Sequence, residues 1–335
     1  MAVTKINISI VICTFNRAVS LRKTLVALGG ASVRPGWELE VLIVDNASTD
    51  ETAKTVQGMT LKNAKIQYVY EPVKGLGYAR NAGLVKARGE IIVFTDDDVE
   101  VAPDWLDELV TPLANRSCEA VTGRITLAPG LLRPWMTRMH KVWLASSDDF
   151  ELHEGSRELI GANMGFRRSV LERVPAIDPE LGAGRLGTTE ETLFGWQLAE
   201  AGFKIRYVPT ARVVHHLDPS RLLHRHWLGD AVKRGRSQAY LRYHWEHDDI
   251  QMPRLARLLY WTKLKLRSRL QPPPPDDGEG CPLWEMSYVA NMAMCNQFCL
   301  ERQRPRNYSR RGFVKRPQPE AGLAQAVSGG RLART

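Results

Sequence analysis

Apolar and polar positions alternate between two periods along the first two-thirds of the chain. Short runs of near-continuous hydrophobicity, Ile6 to Cys13, Leu39 to Val44, Ile66 to Tyr70, Ile91 to Phe94 and Ala120 to Leu127, read as strands. Between them lie stretches of helical spacing: Val19 to Leu28, Asp50 to Gly58, Gly77 to Arg88 closed by Gly89, and about 103–114 with Pro103 near its first turn. Ser48 or Asp50 is the expected N-cap of the second helix, in a capping box. Strands separated by helices predict an α/β fold, an open, Rossmann-like, mostly parallel sheet flanked by helices. No Gly-x-Gly-x-x-Gly follows the first strand, which disfavours an ordinary dinucleotide fold.

The pattern is less regular afterwards. Residues 128–160, with Pro129, Pro134, Trp135 and Trp143, predict an excursion over the sheet edge. Gly161 to Met164 precedes a short basic helix from Arg167 to Arg173. A polar loop, Asp178 to Thr189, leads into a helix from Glu190 to Ala201, and Lys204 to Val208 and Arg212 to Val214 read as short strands. Ser220 to Glu246 reads as one long helix with Gly229 and Gly235 as weak spots. Leu255 to Leu270 is basic and amphipathic, with Leu255, Leu258, Leu259 and Leu266 near one face, and Pro272 to Pro275 break it. An apolar helix follows over 283–300, and the tail after Arg302, poor in apolar residues, is expected to be disordered.

Charge sharpens this division. The 335 residues carry a formal net charge of +9. Residues 1–250 are close to neutral, 251–270 hold six basic groups and no acid, and 301–335 hold nine basic groups against two acids. A basic appendage on a neutral body argues against nucleic acid as a partner and for contact with an anionic surface. The five cysteines are widely spaced and lack a paired metal signature, which fits a reducing compartment, with Cys13 as a buried small hydrophobe. Met1 to Ser9 has no basic head followed by an apolar run, and no stretch reaches 18 uncharged apolar residues. The expectation is a cytoplasmic protein, compatible with homo-oligomers, whose basic helical region either lies on the inner face of the plasma membrane or packs on the catalytic body or another subunit.

The candidate chemistry collects at strand ends. Asp96-Asp97-Asp98 closes the fourth strand, where an α/β sheet tends to place its site, and such a cluster suits a divalent cation and the phosphates it neutralises. The bland alternative is a capped turn before the Pro103 helix. His215 or the adjacent His216 can add an imidazole, a ligand set that Mn²⁺ accepts more readily than Mg²⁺. Glu190 and Glu191 begin a helix; one can cap it while the other acts as general base. Glycines 182, 184 and 187 make the preceding loop pliable. Asp45-Asn46 can read ribose or base amides, or cap a turn. Thr14, Asn16 and Arg17 follow the first strand, and Arg80 lies on the helix before the acidic cluster.

These residues resemble the family 2 glycosyltransferases of the GT-A fold. The matching pieces are Val11-Ile12-Cys13-Thr14-Phe15-Asn16-Arg17, Val44 through Asp50, Gly77 through Gly83, Phe94-Thr95-Asp96-Asp97-Asp98, Gly161 through Arg168, Thr189-Glu190-Glu191 and Pro209-x-Ala211-x-Val213-x-His215, in order over roughly 6–217. The resemblance implies an inverting, Mn²⁺- or Mg²⁺-dependent transfer from a nucleoside-diphosphate sugar, with a UDP-sugar favoured. It implies base contacts from Asp45 and Arg80, ribose at Asp96, metal at Asp98 with His215 auxiliary, Glu191 as base, and Asn163 and Met164 on the acceptor side. The family usually has Glu-Asp where this chain has Glu190-Glu191. The implied organisation is a GT-A catalytic domain over 1–217, with nucleotide-sugar binding about 6–127 and the acceptor side about 128–217. A helical region follows over 218–300, then a tail over 301–335. The acceptor would be a glycan, a glycolipid or a small molecule, in polysaccharide or glycolipid synthesis.

Two rival functions stand against this. A sugar-nucleotide nucleotidyltransferase would carry a glycine-rich basic loop after the first strand, and Cys13 to Ser20 lacks one. A non-catalytic sugar-nucleotide or polysaccharide-binding protein would tolerate loss of Glu191.

Overall fold

The computed structural model describes residues 5–148 and 156–317. Its strands are Ile6–Thr14 (β1), Trp37–Asp45 (β2), Ala64–Tyr70 (β3), Ile91–Asp96 (β4), Val99–Val101 (β5), Ala120–Leu127 (β6), Asn163–Arg167 (β7) and Ile205–His215 (β8). They form one sheet in the order β3-β2-β1-β4-β7-β6-β8-β5. Its helices are Ala18–Gly29 (α1), Thr52–Gln57 (α2), Leu76–Lys86 (α3), Trp105–Ala114 (α4), Arg138–Trp143 (α5), Glu190–Glu200 (α6), His224–Tyr240 (α7), Pro253–Leu270 (α8) and Leu283–Glu301 (α9).

The first four strands in sheet order, β3 to β4, are all parallel. Such strands are covered on both faces, which is why they read as continuous apolar runs. Ile8, Ile10 and Ile12 pack with Leu21, Leu25 and Trp105 on one face, while Val11, Leu42, Ile92 and Phe94 pack on the other. Each such side chain contributes about 1.5–3 kcal/mol by burial. Beyond β4 the sheet is mixed: β7 runs antiparallel to both β4 and β6, β6 and β8 are parallel, and β5 pairs antiparallel with β8.

The differences from the sequence reading lie in that second half. The expected helix from Arg167 is a short 3₁₀ turn, Arg168–Glu172, and the residues before it form the central strand β7. The two short strands expected at 204–214 are one strand, β8, with an irregularity opposite Gly123/Arg124 that absorbs Pro209. A Cβ on Gly123 would lie 2.3 Å from the Asn163 amide and 2.5 Å from the Ala211 carbonyl, so the bulge needs glycine there. The expected long helix is a 3₁₀ turn at Pro219–Leu222, then α7, then a π-helical turn at Leu241–Glu246. Gly235 is less a weak spot than a crossing point: a Cβ there would meet the Ala290 carbonyl of α9 at 2.0 Å.

Neither expected residue caps α2 through its own N-cap position, which falls on Glu51. Asp50 instead accepts from the Thr52 N–H at 3.1 Å and the Ala18 N–H at 3.1 Å, tying the starts of α1 and α2 together. The tail also departs from expectation as far as residue 317. Asn307 and Tyr308 are buried, and Asp178 accepts from Tyr240 Oη (2.6 Å), Tyr308 Oη (2.7 Å) and Lys315 Nζ (2.6 Å). Its packing is polar, which a low apolar content does not reveal. The remainder of the tail, 318–335, lies outside the described residues.

Candidate active site

In-register pairing sets the polar ends of the parallel strands level with one another. Thr14 ends β1 beside Asp45 of β2, and Cys13 pairs with Asp96 at the end of β4. The chain then turns through Asp97 and Asp98 into β5, whose Val99 pairs with His215 at the end of β8. That pairing brings His215 Nε2 to 3.0 Å from Asp98 Oδ1. A cavity of about 470 Å³ opens over these ends, and Thr14, Arg17, Arg80, all three aspartates, Glu190, Glu191 and His215 line it.

Charge in the cavity is balanced within short range. Arg17 pairs with Asp97 at 3.0 Å and with Asp98. Burial works to raise the Asp98 carboxyl, but the His215 hydrogen bond and the charges of His215 and Arg17 outweigh it, and the group sits below its ordinary range. Burial would depress the His215 imidazolium, yet its bond to Asp98 prevails and raises its pKa. Asp97 is pushed up to about 7: burial is the larger effect, Arg17 opposes it, and the Asp98 charge adds to it. Deeper in, Arg80 Nη1 lies 2.8 Å from Glu190 Oε1 and 3.8 Å from Glu191 Oε2, and Nη2 lies 3.9 Å from Asp96 Oδ1. Glu190 is buried; Glu191, one residue on, faces the cavity with 22% of its side chain exposed.

Asp96, Asp98 and His215 each offer one ligand atom, and these atoms all lie within 4.8 Å of one another. His215 Nδ1 is buried without a hydrogen-bond partner. Two carboxylates and an imidazole fit a divalent cation of the Mn²⁺ or Mg²⁺ kind. The geometry separates the two histidines: His216 Nε2 is 3.1 Å from Glu100, on the exposed side. Asp96, expected at ribose, sits in this cluster.

Other expected residues fall elsewhere. Asn163 is fully buried; its amide donates to the Arg124 carbonyl (3.0 Å) and the Ala211 carbonyl (2.9 Å) and accepts from Trp105 Nε1 (2.8 Å). Met164 is buried between the sheet and α6 with Phe94, Phe166 and Phe194. Both are therefore core residues rather than acceptor contacts, because β7 runs through the middle of the sheet; Gly161 and Ala162 line the cavity instead. Asp45 accepts from the Ser48 N–H (2.8 Å) and Tyr68 Oη (2.7 Å), and its neighbour Asn46 lines the cavity. Asn16 accepts from the Thr49 N–H at 2.7 Å and so joins the loops after β1 and β2. Arg80, expected at the base, is held among carboxylates. The sequence reading missed Lys74, Arg221 and Arg234, which also line the cavity. Arg221 bonds Asp230 at 2.7 Å and Arg234 the Trp143 carbonyl at 3.0 Å. Nothing in their spacing marks them among the many basic residues of that stretch.

Residues 9–174 match the sequence profile described as Glycosyl transferase family 2. A glucosyl-dolichyl phosphate glucuronosyltransferase of Haloferax volcanii is 26% identical over 52% of this chain and 57% of its own length. The succinoglycan biosynthesis protein ExoM of Rhizobium meliloti is 31% identical over 39% of this chain and 43% of its own. The chain thus spans about half the length of these curated relatives. Among solved structures, a mannosyltransferase from Pyrobaculum calidifontis, in complex with GDP-Man and Mn²⁺, superposes with a TM-score of 0.60 at 19% identity, over 89% of this chain and 88% of its own. That likeness concerns the fold.

Proposed function

The chain belongs, through residues 9–174, to glycosyl transferase family 2, and from that premise we propose an inverting, metal-dependent transfer of a sugar from a nucleoside diphosphate to an acceptor hydroxyl. The observation that carries this reading is the convergence of Asp96, Asp98 and His215 within one cavity that also exposes Glu191. Asp98 and His215, with Asp96, would hold Mn²⁺ or Mg²⁺. When bound, the cation would neutralise the diphosphate and make it a better leaving group.

This chain's own residues do the rest. Thr14, Arg17 and Asn46 line the cavity from the ends of the first strands, where the nucleotide would lie, and Arg221 of the 3₁₀ turn at Pro219–Leu222 and Arg234 of α7 add positive charge to its lining. Glu191 takes the proton from the acceptor hydroxyl, whose oxygen attacks the anomeric carbon on the face opposite the diphosphate. One C–O bond forms as the other breaks, and the configuration inverts. Glu190 does not serve as base in this scheme, because it is buried at 2.8 Å from Arg80; it is a positioning residue that fixes the guanidinium beneath Glu191.

The same reading gives α8 a role. No helix among the described residues is long and apolar enough to cross a membrane. Leu255, Leu258, Leu259, Leu266 and Leu270 of α8 are nevertheless exposed, flanked by Arg254, Lys263, Lys265 and Arg269. An anionic lipid surface on the cytoplasmic side would take this face and present a lipid-linked acceptor. Vesicle sedimentation checks it: binding to anionic but not neutral vesicles, lost in Leu258→Glu/Leu266→Glu, is expected, and equal binding by that variant would refute it.

The deciding experiment is calorimetric titration with UDP, GDP and TDP, in Mn²⁺ or in EDTA, repeated with Asp98→Ala. Metal-dependent binding of one diphosphate, lost in the variant, is expected and names the base. No binding of any of the three in either condition refutes the assigned site.

A further inference from the structure

A second cluster of ligating side chains lies apart from this cavity, where the first turns of α7 and α9 meet the loop over 276–281. His224 opens α7, Glu285 sits in the first turn of α9, and Cys281 precedes that turn; all three are buried. One ligand atom from each lies within 4.8 Å of the others. His224 Nε2 is 2.8 Å from Glu285 Oε2, and Cys281 Sγ is 3.5 Å from the same oxygen. Behind the imidazole, Asp276 Oδ1 lies 3.5 Å from His224 Nδ1, a buried atom with no hydrogen-bond partner. The backbone around them is fixed: the His224 N–H donates to the Gly278 carbonyl, the Gly280 N–H donates to the Leu222 carbonyl, and His140 Nε2 meets the Cys281 carbonyl at 2.8 Å.

Protons alone satisfy this arrangement poorly. A neutral imidazole has one N–H; spent by Nε2 on Glu285, it leaves the buried Nδ1 without a donor or partner, 3.5 Å from the exposed Asp276 carboxylate. A divalent cation removes the conflict. One thiolate and one carboxylate balance its two charges, the imidazole stays neutral, and Nδ1–H turns to Asp276, the carboxylate–histidine–metal arrangement that orients such ligands. Sulfur, nitrogen and oxygen donors together match zinc, whereas the active-site cluster has no sulfur.

We propose that His224 Nε2, Cys281 Sγ and the Glu285 carboxylate bind a zinc-class cation, with water as the fourth donor. The ion would clip the start of α9 onto α7 and so hold the helical extension to the catalytic body. Binding exchanges the Cys281 thiol proton for the metal: Cys–SH and M²⁺ give Cys–S–M⁺ and H⁺.

The test uses the full chain, stripped with a chelator and titrated with Co²⁺, which reports thiolate ligation as a near-ultraviolet charge-transfer band. The band is expected at stoichiometric Co²⁺ in the wild type and in Asp98→Ala, whose altered cluster contains no thiolate. It is expected to vanish in Cys281→Ser and on displacement by Zn²⁺. A wild-type titration without the band, or a band unchanged in Cys281→Ser, overturns the proposal and leaves a hydrogen-bonded trio bridged by a proton. Because absence of the wild-type band suffices to overturn it, poor folding of a variant does not shield the proposal.

Discussion

The two halves of the sheet use polar residues in opposite ways. From β3 to β4 the interior is almost wholly apolar, and the charged groups Asp45, Asp96, Asp97 and Asp98 stand at the strand ends. From β7 to β5 polar groups go inside: Asn163 is a fully buried strut between β6, β8 and Trp105, and Asp178 anchors the segment around Tyr308. In the first half Asp96, Asp97 and Asp98 therefore stand clear of the apolar interior and line the cavity. In the second half polar side chains largely hold the fold, while Glu190, Glu191 and His215, with Arg221 and Arg234 beyond the sheet, reach the cavity.

The sharpest way to break that comparison is Asp98→Ala. Asp98 contributes to the ligand cluster but to no core, so turnover should fall by about three orders of magnitude or more while the variant stays folded by circular dichroism. An unfolded variant would show that the strand-end charges also carry stability. Glu191→Gln should follow, with kcat down by about 10²–10⁴ and diphosphate titration unchanged, since only the proton acceptor is lost. Loss of binding together with turnover would move Glu191 from base to donor contact.

In the second half the expected effect is on stability. Asn163→Ala removes three hydrogen bonds, two donated to the Arg124 and Ala211 carbonyls and one accepted from the buried Trp105 N–H. A cost of about 3 kcal/mol in urea unfolding is expected, with kcat per folded molecule little changed. A cost below about 1 kcal/mol would mean that the bulge in β8 relaxes and that the strut is dispensable.

The same contrast explains what could be read beforehand. The parallel strands announce themselves because burial on both faces demands unbroken apolar runs, and the site residues at their ends inherit that clarity. Asn163-Met164-Gly165-Phe166-Arg167 does not alternate, contains a glycine and begins with an amide, so its place at the centre of the sheet is invisible locally. Asn163 looks like a contact residue because an asparagine is usually exposed, and only the bulge opposite Gly123 gives its amide two carbonyls to satisfy. Arg80 joins carboxylates more than a hundred residues away, and Arg221 and Arg234 reach the cavity from a region beyond the motifs. Such pairings depend on topology rather than on spacing.

The last expected effect concerns the pair that joins the halves, Arg80 on α3 and Glu190 on α6. Burial, with the Glu191 charge adding to it and Arg80 opposing it, pushes the Glu190 carboxyl from 4.5 up to about 8. In the unfolded chain the group titrates near 4.5, so above that pH the unfolded state has released a proton that the native state keeps. Stability from this residue is thus complete below pH 4.5 and lost as the pH rises through about 8. Glu190→Gln removes the titration, and melting temperature plotted against pH should be flatter across that window than in the wild type. A variant as steep as the wild type would transfer the slope to the strand ends, where Asp97 is pushed up to about 7, and the donor half would then carry pH-dependent stability after all.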